Sequence, residues 1–205
     1  MSPFKRYALP LFLILSTISL TSTTQNDGWI NLFDGKTLDG WKASENPATF
    51  SVQDGQIVVF GNRAHLFYTG TVANHNFKNF EFKLSVMTTQ GSNSGLFIHT
   101  EYQETDWPKK GYEIQVNQTH TDWRKTGSVY AVQDVKETFV KDNEWYTEHI
   151  IVQGKRIIVK VNDKVINDFT EGETSKLLGG TIALQGHDPK SKVFYKDVMV
   201  KILPD

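Results

Sequence analysis

From residue 80 to 86 apolar and polar side chains alternate one for one: Phe80, Phe82, Leu84 and Val86 against Glu81, Lys83 and Ser85. A period of two marks a strand with one buried face. The same reading predicts strands at 96–100, 112–116, 128–132, 145–152, 181–185 and 193–202. Two hairpins stand out. Residues 50–52 and 56–60 flank Asp54-Gly55, and the β-branched run 156–161 turns through Asn162-Asp163 into 164–166. No window of helical length carries a 3.6-residue period, and at most a short helical turn is expected near 174–178. Many short strands punctuated by Gly and Asn/Asp predict an all-β, two-sheet antiparallel sandwich. The longest irregular stretches are 102–110 and 118–127, and long loops beside strands often carry function.

The head of the chain follows another rule. Lys5 and Arg6 precede an uncharged apolar run at 7–20, and small polar residues follow at 21–24. That is the order of a secretory signal peptide, in a run too short for a comfortable membrane span. Cleavage is expected near residue 25. It leaves one domain at 26–205, placed in the periplasm or outside the cell, with no stable membrane span. The 205 residues include no cysteine, which excludes disulfides, thiolate metal sites and a cysteine-linked lipid anchor. With 22 basic and 23 acidic residues there is no basic excess, and nucleic acid is not expected as a partner. Aromatic residues make up 12% of the chain, enough to stack on sugar rings as well as fill a core. Trp41, with Phe33 and Leu38 beside glycine turns, is expected to be core.

Alternation also sorts the polar residues. In 112–116, Tyr112, Ile114 and Val116 form an apolar face and Glu113 and Gln115 the opposite one. In 96–100, His99 and Phe97 oppose Leu96 and Ile98. In 181–187, Gln185 and His187 oppose Ile182 and Leu184, and in 128–132 Tyr130 opposes Val129. If these strands are neighbours, Glu113, Gln115, His99, Gln185, His187 and Tyr130 share one open face. Trp107, in the 102–110 loop, is a further candidate. Each residue alone is as well explained by an ordinary solvated strand or a packing ring. The functional reading rests on their coincidence. The six histidines show no HxH or HExxH spacing, and no GxSxG elbow or phosphate loop is present. Asp34, Asp39 and Asp54 each sit beside a glycine, where turn formation explains them better than calcium ligation does. No metal and no cofactor is expected.

Eight motifs, in order, carry a resemblance. They are residues 33–41, 52–55, 93–96, 111–116, 126–130, 143–145, 184–187 and 194–198. Together they resemble the 3-keto-disaccharide hydrolase family over nearly the whole mature chain. The resemblance implies a jelly-roll sandwich of the concanavalin A-like, laminarinase-like type and a carbohydrate substrate oxidised at C3. The ketone acidifies the C2 proton, a base removes it, the C1 substituent leaves, and water adds back. Glu113, His187 and His99 are the implied catalytic groups, and Gln115, Gln185, Tyr130 and Trp107 the implied sugar contacts. Family members often carry arginine where this chain has His99, and arginine-asparagine where it has Lys196-Asp197.

Two other functions fit the same sandwich. A non-catalytic carbohydrate-binding module would use the aromatics without a base. A laminarinase-like glycosidase needs carboxylates on both sides of the bond, spaced Glu-x-Asp-x-x-Glu on one strand. Here Gln115 and Gln118 stand at the second and third positions, which argues against it.

Overall fold

The structure, a computed structural model, describes residues 27–173 and 179–205. The leader expected at 1–25 and the helical turn expected near 174–178 lie outside the described residues. Thirteen strands are described: β1 (Trp29–Asn31), β2 (Trp41–Ala43), β3 (Phe50–Gln53), β4 (Gln56–Phe60), β5 (Ala64–Tyr68), β6 (Phe80–Thr88), β7 (Asn93–Thr100), β8 (Tyr112–Asn117), β9 (Tyr146–Gln153), β10 (Arg156–Val161), β11 (Lys164–Thr170), β12 (Thr181–Gly186) and β13 (Lys192–Ile202). Two short 3-10 turns, Pro47–Thr49 and Val72–His75, are the helical elements among the described residues.

The strands form two antiparallel sheets, as the alternation predicts. One runs β11-β10-β9-β6-β13-β4-β3, with β1 added beside β13. The other runs β2-β5-β12-β7-β8. The core lies between them. Phe80, Phe82, Leu84 and Val86 of β6 meet Tyr112, Ile114 and Val116 of β8 and Ile182 and Leu184 of β12 in one buried cluster. Each large side chain so buried contributes roughly 1.5–3 kcal/mol. Trp41 joins this core, its Nε1 donating to the Leu32 carbonyl at 2.7 Å and its ring edge-on to Tyr68.

Turn chemistry fixes the register. Asp54 and Gly55 take φ of 50° and 76°, Asn162 and Asp163 take 48° and 65°, and two positive φ values give the primed turns that match strand twist. On β13 the register against β6 shifts between Lys196 and Met199, with Asp197 at φ 53° accepting a bond from Ser85 Oγ at 2.9 Å. The Lys196-Asp197 pair therefore forms a β-bulge. It resets the alternation so that both Tyr195 and Val198 face the core.

Two expectations need correction. Residues 128–132 are not a strand. Val129 bridges singly to Ile114 and to Gln133, and Ala131 at φ 58° turns the chain back. Conversely β5 is a strand that alternation misses, because all of Ala64, His65, Leu66, Phe67 and Tyr68 are buried. A strand covered on both faces need not keep a period of two.

Candidate active site

The outer face of the five-stranded sheet carries its own small apolar cluster, Phe67, Phe97 and Ala183, separate from the core. Beside it a polar row crosses the strands. His65 of β5 pairs with Gln185 of β12, and Gly95 of β7 pairs with Gln115 of β8. Gly95 bears no side chain where one would block the row. A Cβ there would collide with the Glu113 carboxylate. The Glu113 side chain therefore leans across β7, and Gln185 Nε2 donates to its Oε1 at 2.8 Å. Gln115 Nε2 donates to Asn93 Oδ1 at 2.7 Å. The Oε1 atoms of Gln115 and Gln185 are buried with no hydrogen-bond partner among the described residues.

Loops wall this floor into a cavity of about 240 Å³, lined by Glu113, Gln115, Gln185, His187, Trp107 and Tyr130, with Asn93, Phe97, Pro108 and Asp122. Trp107 is held from three sides. Its ring meets those of His65 at 5.6 Å and His187 at 5.4 Å, and the Arg63 guanidinium lies 5.2 Å from its centre. Arg63 is itself tied to Glu45 at 2.9 Å and to Asp106 at 3.2 Å. Tyr130 is placed by its backbone, whose N–H donates to the Glu113 carbonyl at 2.9 Å. Asp122 accepts the Arg124 N–H at 2.9 Å, with the Arg124 guanidinium 3.6 Å away.

His187 follows the last residue of β12 and is oriented by its neighbour. Its Nδ1 lies 2.7 Å from Asp188 Oδ2, which also accepts Ser191 Oγ at 2.8 Å, while Asp188 Oδ1 accepts the Lys190 N–H at 2.8 Å. Burial alone would raise the Asp188 carboxyl. The bonds from His187, Lys190 and Ser191 outweigh it and hold Asp188 at about 2. The carboxylate is thus an acceptor, so His187 Nδ1 carries a proton, and in the neutral ring the lone pair is on Nε2.

Glu113 behaves oppositely. Desolvation on the cavity floor raises its carboxyl from near 4.5 to about 7. The Gln185 bond lowers it, nearby Asp122 raises it, and Arg124 lowers it. Glu113 can therefore be neutral or charged near pH 7. His65 is pushed down to about 4, mainly by burial, and is neutral under the same conditions.

Of the residues singled out in the sequence, Glu113, Gln115, Gln185, His187, Tyr130 and Trp107 line this one cavity. His99 does not. At φ 52° it breaks the alternation at the end of β7 and turns inward. It is 2% exposed, its ring is 5.5 Å from Phe80, and its Nε2 lies 2.9 Å from the Lys78 carbonyl. Gln118 also turns inward, donating to Tyr146 Oη and Thr88 Oγ1, both at 3.1 Å. Asn93, Asp122, Asp188 and His120 were not anticipated as site residues. Asp188 had one local signal, its place directly after His187 and three before Ser191, where an Asp commonly closes a turn on its own backbone.

His120, His187 and Asp188 also bring ligand-type atoms within 4.8 Å of one another, although no local spacing announced it. The hydrogen bonds limit what they can hold. The Asp122 N–H donates to His120 Nδ1 at 3.1 Å, so in the neutral ring the proton is on Nε2. A cation between the rings would have to strip that proton.

A profile of the 3-keto-alpha-glucoside-1,2-lyase-like domain matches residues 28–201. A 3-keto-disaccharide hydrolase of Bacteroides thetaiotaomicron is 31% identical over 103 residues, 47% of this chain. The match spans only 35% of that relative's length. A crystal structure assigned as a glycosyl hydrolase from Parabacteroides distasonis superposes with a TM-score of 0.73 at 24% identity, covering 90% of this chain and 98% of that one. The carbohydrate-binding module CBM66 of Bacillus subtilis superposes at 0.59 with 14% identity, covering 79% and 95%. These two likenesses concern the fold alone. The profile spans almost every described residue, cavity included, and on that ground the chain belongs to the 3-keto-disaccharide hydrolase-like (3-keto-alpha-glucoside-1,2-lyase-like) family.

Proposed function

We propose that the protein cleaves glycosides oxidised at C3, with the oxidised ring in the Glu113 cavity. The supporting observation is the pairing of two differently tuned proton carriers on one small cavity. His187 is braced through Nδ1 by Asp188, which leaves Nε2 as the acceptor of its neutral ring. Glu113 has a carboxyl held at about 7 by burial. A ketone at C3 makes the C2 proton removable, and His187 Nε2 takes it. The electrons left on C2 move onto the C3 oxygen, and neutral Glu113 donates to it there, as buried protonated acids do at enolate oxygens. The enolate then expels the C1 substituent. Water adds across the new C1–C2 double bond, oxygen to C1 and hydrogen to C2, giving net hydrolysis. Gln115 and Gln185 form the polar floor beneath the ring hydroxyls, while Trp107 and Phe97 cover apolar ring faces.

A second carboxylate, Asp122, lines the wall and raises the possibility of direct displacement at C1. Its contacts with the Arg124 N–H and guanidinium instead commit it to supporting the wall. The test compares a 3-keto glucoside with its unoxidised parent in deuterated water. Cleavage of the ketone alone, with deuterium appearing at C2, is expected. Equal cleavage of both would assign Glu113 and Asp122 to an ordinary glycosidase. Binding without cleavage of either would make this a carbohydrate-binding module. His187→Ala is expected to lose roughly 10²–10⁴-fold in rate. Export is part of the same reading, and the mass of the protein recovered from its host's envelope should correspond to loss of about 25 residues.

A further inference from the structure

His187 has a second cavity on its other side. A groove of about 550 Å³ is lined by His120, Thr121, His187 and Asp188, with Gly91, Pro189 and Lys190 at its edges. Among the cavity groups named above, His187 is the one that faces both spaces. The Glu113 cavity, at about 240 Å³, falls below the roughly 300–1,000 Å³ usual for larger ligands, so it takes only part of a disaccharide. The groove across His187 is the adjoining space for the rest.

The groove side of His187 carries a matched donor. His120 and His187 meet edge-on, with ring centres 5.4 Å apart. His120 Nδ1 receives the Asp122 N–H at 3.1 Å and lies 3.3 Å from Asn93 Nδ2. Asn93 is oriented by Gln115, which donates to its Oδ1, so its Nδ2 also donates. Two donors on Nδ1 fix the His120 proton on Nε2. Burial, then the neighbouring His187, lowers His120 below the usual histidine range, against Asp188 and Asp122, which raise it. Lys125, whose Nζ also bonds the His120 carbonyl, lowers it further. His120 therefore offers a donor at Nε2, where the neutral ring of His187 offers an acceptor. A line of hydrogen bonds ties it to Gln115 on the cavity floor.

Resting on the 3-keto reading above, we infer that the groove seats the departing half of the substrate, with His120 Nε2–H bonded to the departing oxygen and His187 passing that oxygen the proton taken from C2. The balance closes without another reactant. The C2–H bond breaks and its proton moves to His187 Nε2. The C1–O bond breaks with both electrons going to oxygen. The same proton then forms the O–H bond of the leaving group and returns His187 to its starting state. His120 keeps its proton throughout.

Leaving-group dependence tests this. His120→Asn keeps an acceptor for the Asp122 N–H but has no donor at the Nε2 position, whereas His120→Gln places an amide N–H there. On a 3-keto disaccharide, whose alkoxide must be stabilised and protonated, kcat of His120→Asn is expected to fall roughly 10²-fold or more, the range for loss of one donor. On 4-nitrophenyl 3-ketoglucoside, whose leaving group is already stable as an anion, the loss should be under about tenfold, and His120→Gln should recover part of the disaccharide rate. Equal losses on both substrates would overturn the inference. So would inactivation of the wild type by EDTA with recovery on adding Mn²⁺ or Zn²⁺, because the histidines would then hold a cation. A wild type active on both substrates with unchanged His120→Asn kinetics would reject the groove assignment while leaving the 3-keto reading intact. A wild type inactive on every 3-keto glycoside would overturn both.

Discussion

Glu113 reaches Gln185 over a strand that carries no side chain at the crossing point, Gly95. The requirement there is space, not backbone freedom, since a Cβ would meet the Glu113 carboxylate and its Cγ and Cδ. The carboxyl is the movable end of a flexible chain, so Gly95→Ala should swing it away from Gln185 and leave the strands paired. Misplacing a reacting group by about an ångström can cost roughly 10²-fold in rate. Gly95→Ala is therefore expected to lose about that much activity, with unfolding free energy within about 1 kcal/mol of wild type. A fully active variant would show that the Glu113–Gln185 contact is dispensable. At this scale the sequence was informative where side chains alternate on regular strands. Parity put Glu113 and Gln115 on one face of their strand and Gln185 on the polar face of its own, but bringing the two strands together needed an assumption about strand order that periodicity does not supply. His99 could not be placed by parity, because a single residue at positive φ reverses it, and nothing in the letters Phe97-Ile98-His99 announces that reversal.

Elements divide the same way. Strands whose polar and apolar residues alternate were legible, β6 and β13 with one solvated face and β12 although fully buried, whereas β5, whose buried run Ala64-His65-Leu66-Phe67-Tyr68 does not alternate, and the bridged turn around Val129 were not. The loops around the cavity could be named as irregular, but which of their side chains point inward depends on anchors far away in sequence. Arg63 and His65 hold Trp107, and Asn93 holds His120. The stretch from Leu32 to Trp41 is a counter-example, in which local chemistry suffices. Asp34 caps its own turn by accepting the Lys36 and Thr37 N–H groups at 2.7 and 2.8 Å, and the chain then returns Trp41 to the Leu32 carbonyl. Trp41→Ala removes both the ring and that bond. It should cost about 3–5 kcal/mol, read as a fall in denaturant midpoint at unchanged m-value. An unchanged midpoint would mean that this stretch does not anchor β2 to the core.

For the molecule as a whole, the cavity places stability and catalysis on the same proton. The Glu113 carboxyl stands near 4.5 when solvated and at about 7 in the fold. Its raised value means that the native state holds this proton more tightly than the unfolded chain does. The stability linked to it is fully present below about pH 4.5 and is lost as pH rises through about 7, up to roughly 3 kcal/mol. Glu113→Gln removes this titration while still accepting from Gln185. The melting temperature of the variant should therefore exceed that of wild type by several degrees at about pH 8, with the gap closing toward pH 4.5. Other buried acids, Glu148 among them, titrate in both proteins and drop out of the comparison. Activity separates the possible roles of Glu113. A donor to the enolate oxygen works only when protonated, so wild-type kcat/KM should fall above about pH 7. The glutamine variant, which retains an N–H donor, should lose less than about 10²-fold and lack that fall. If Glu113 were instead the base at C2, the wild-type rate would rise through pH 7 and the glutamine variant would be inactive. His187 would then keep only its place between the two cavities.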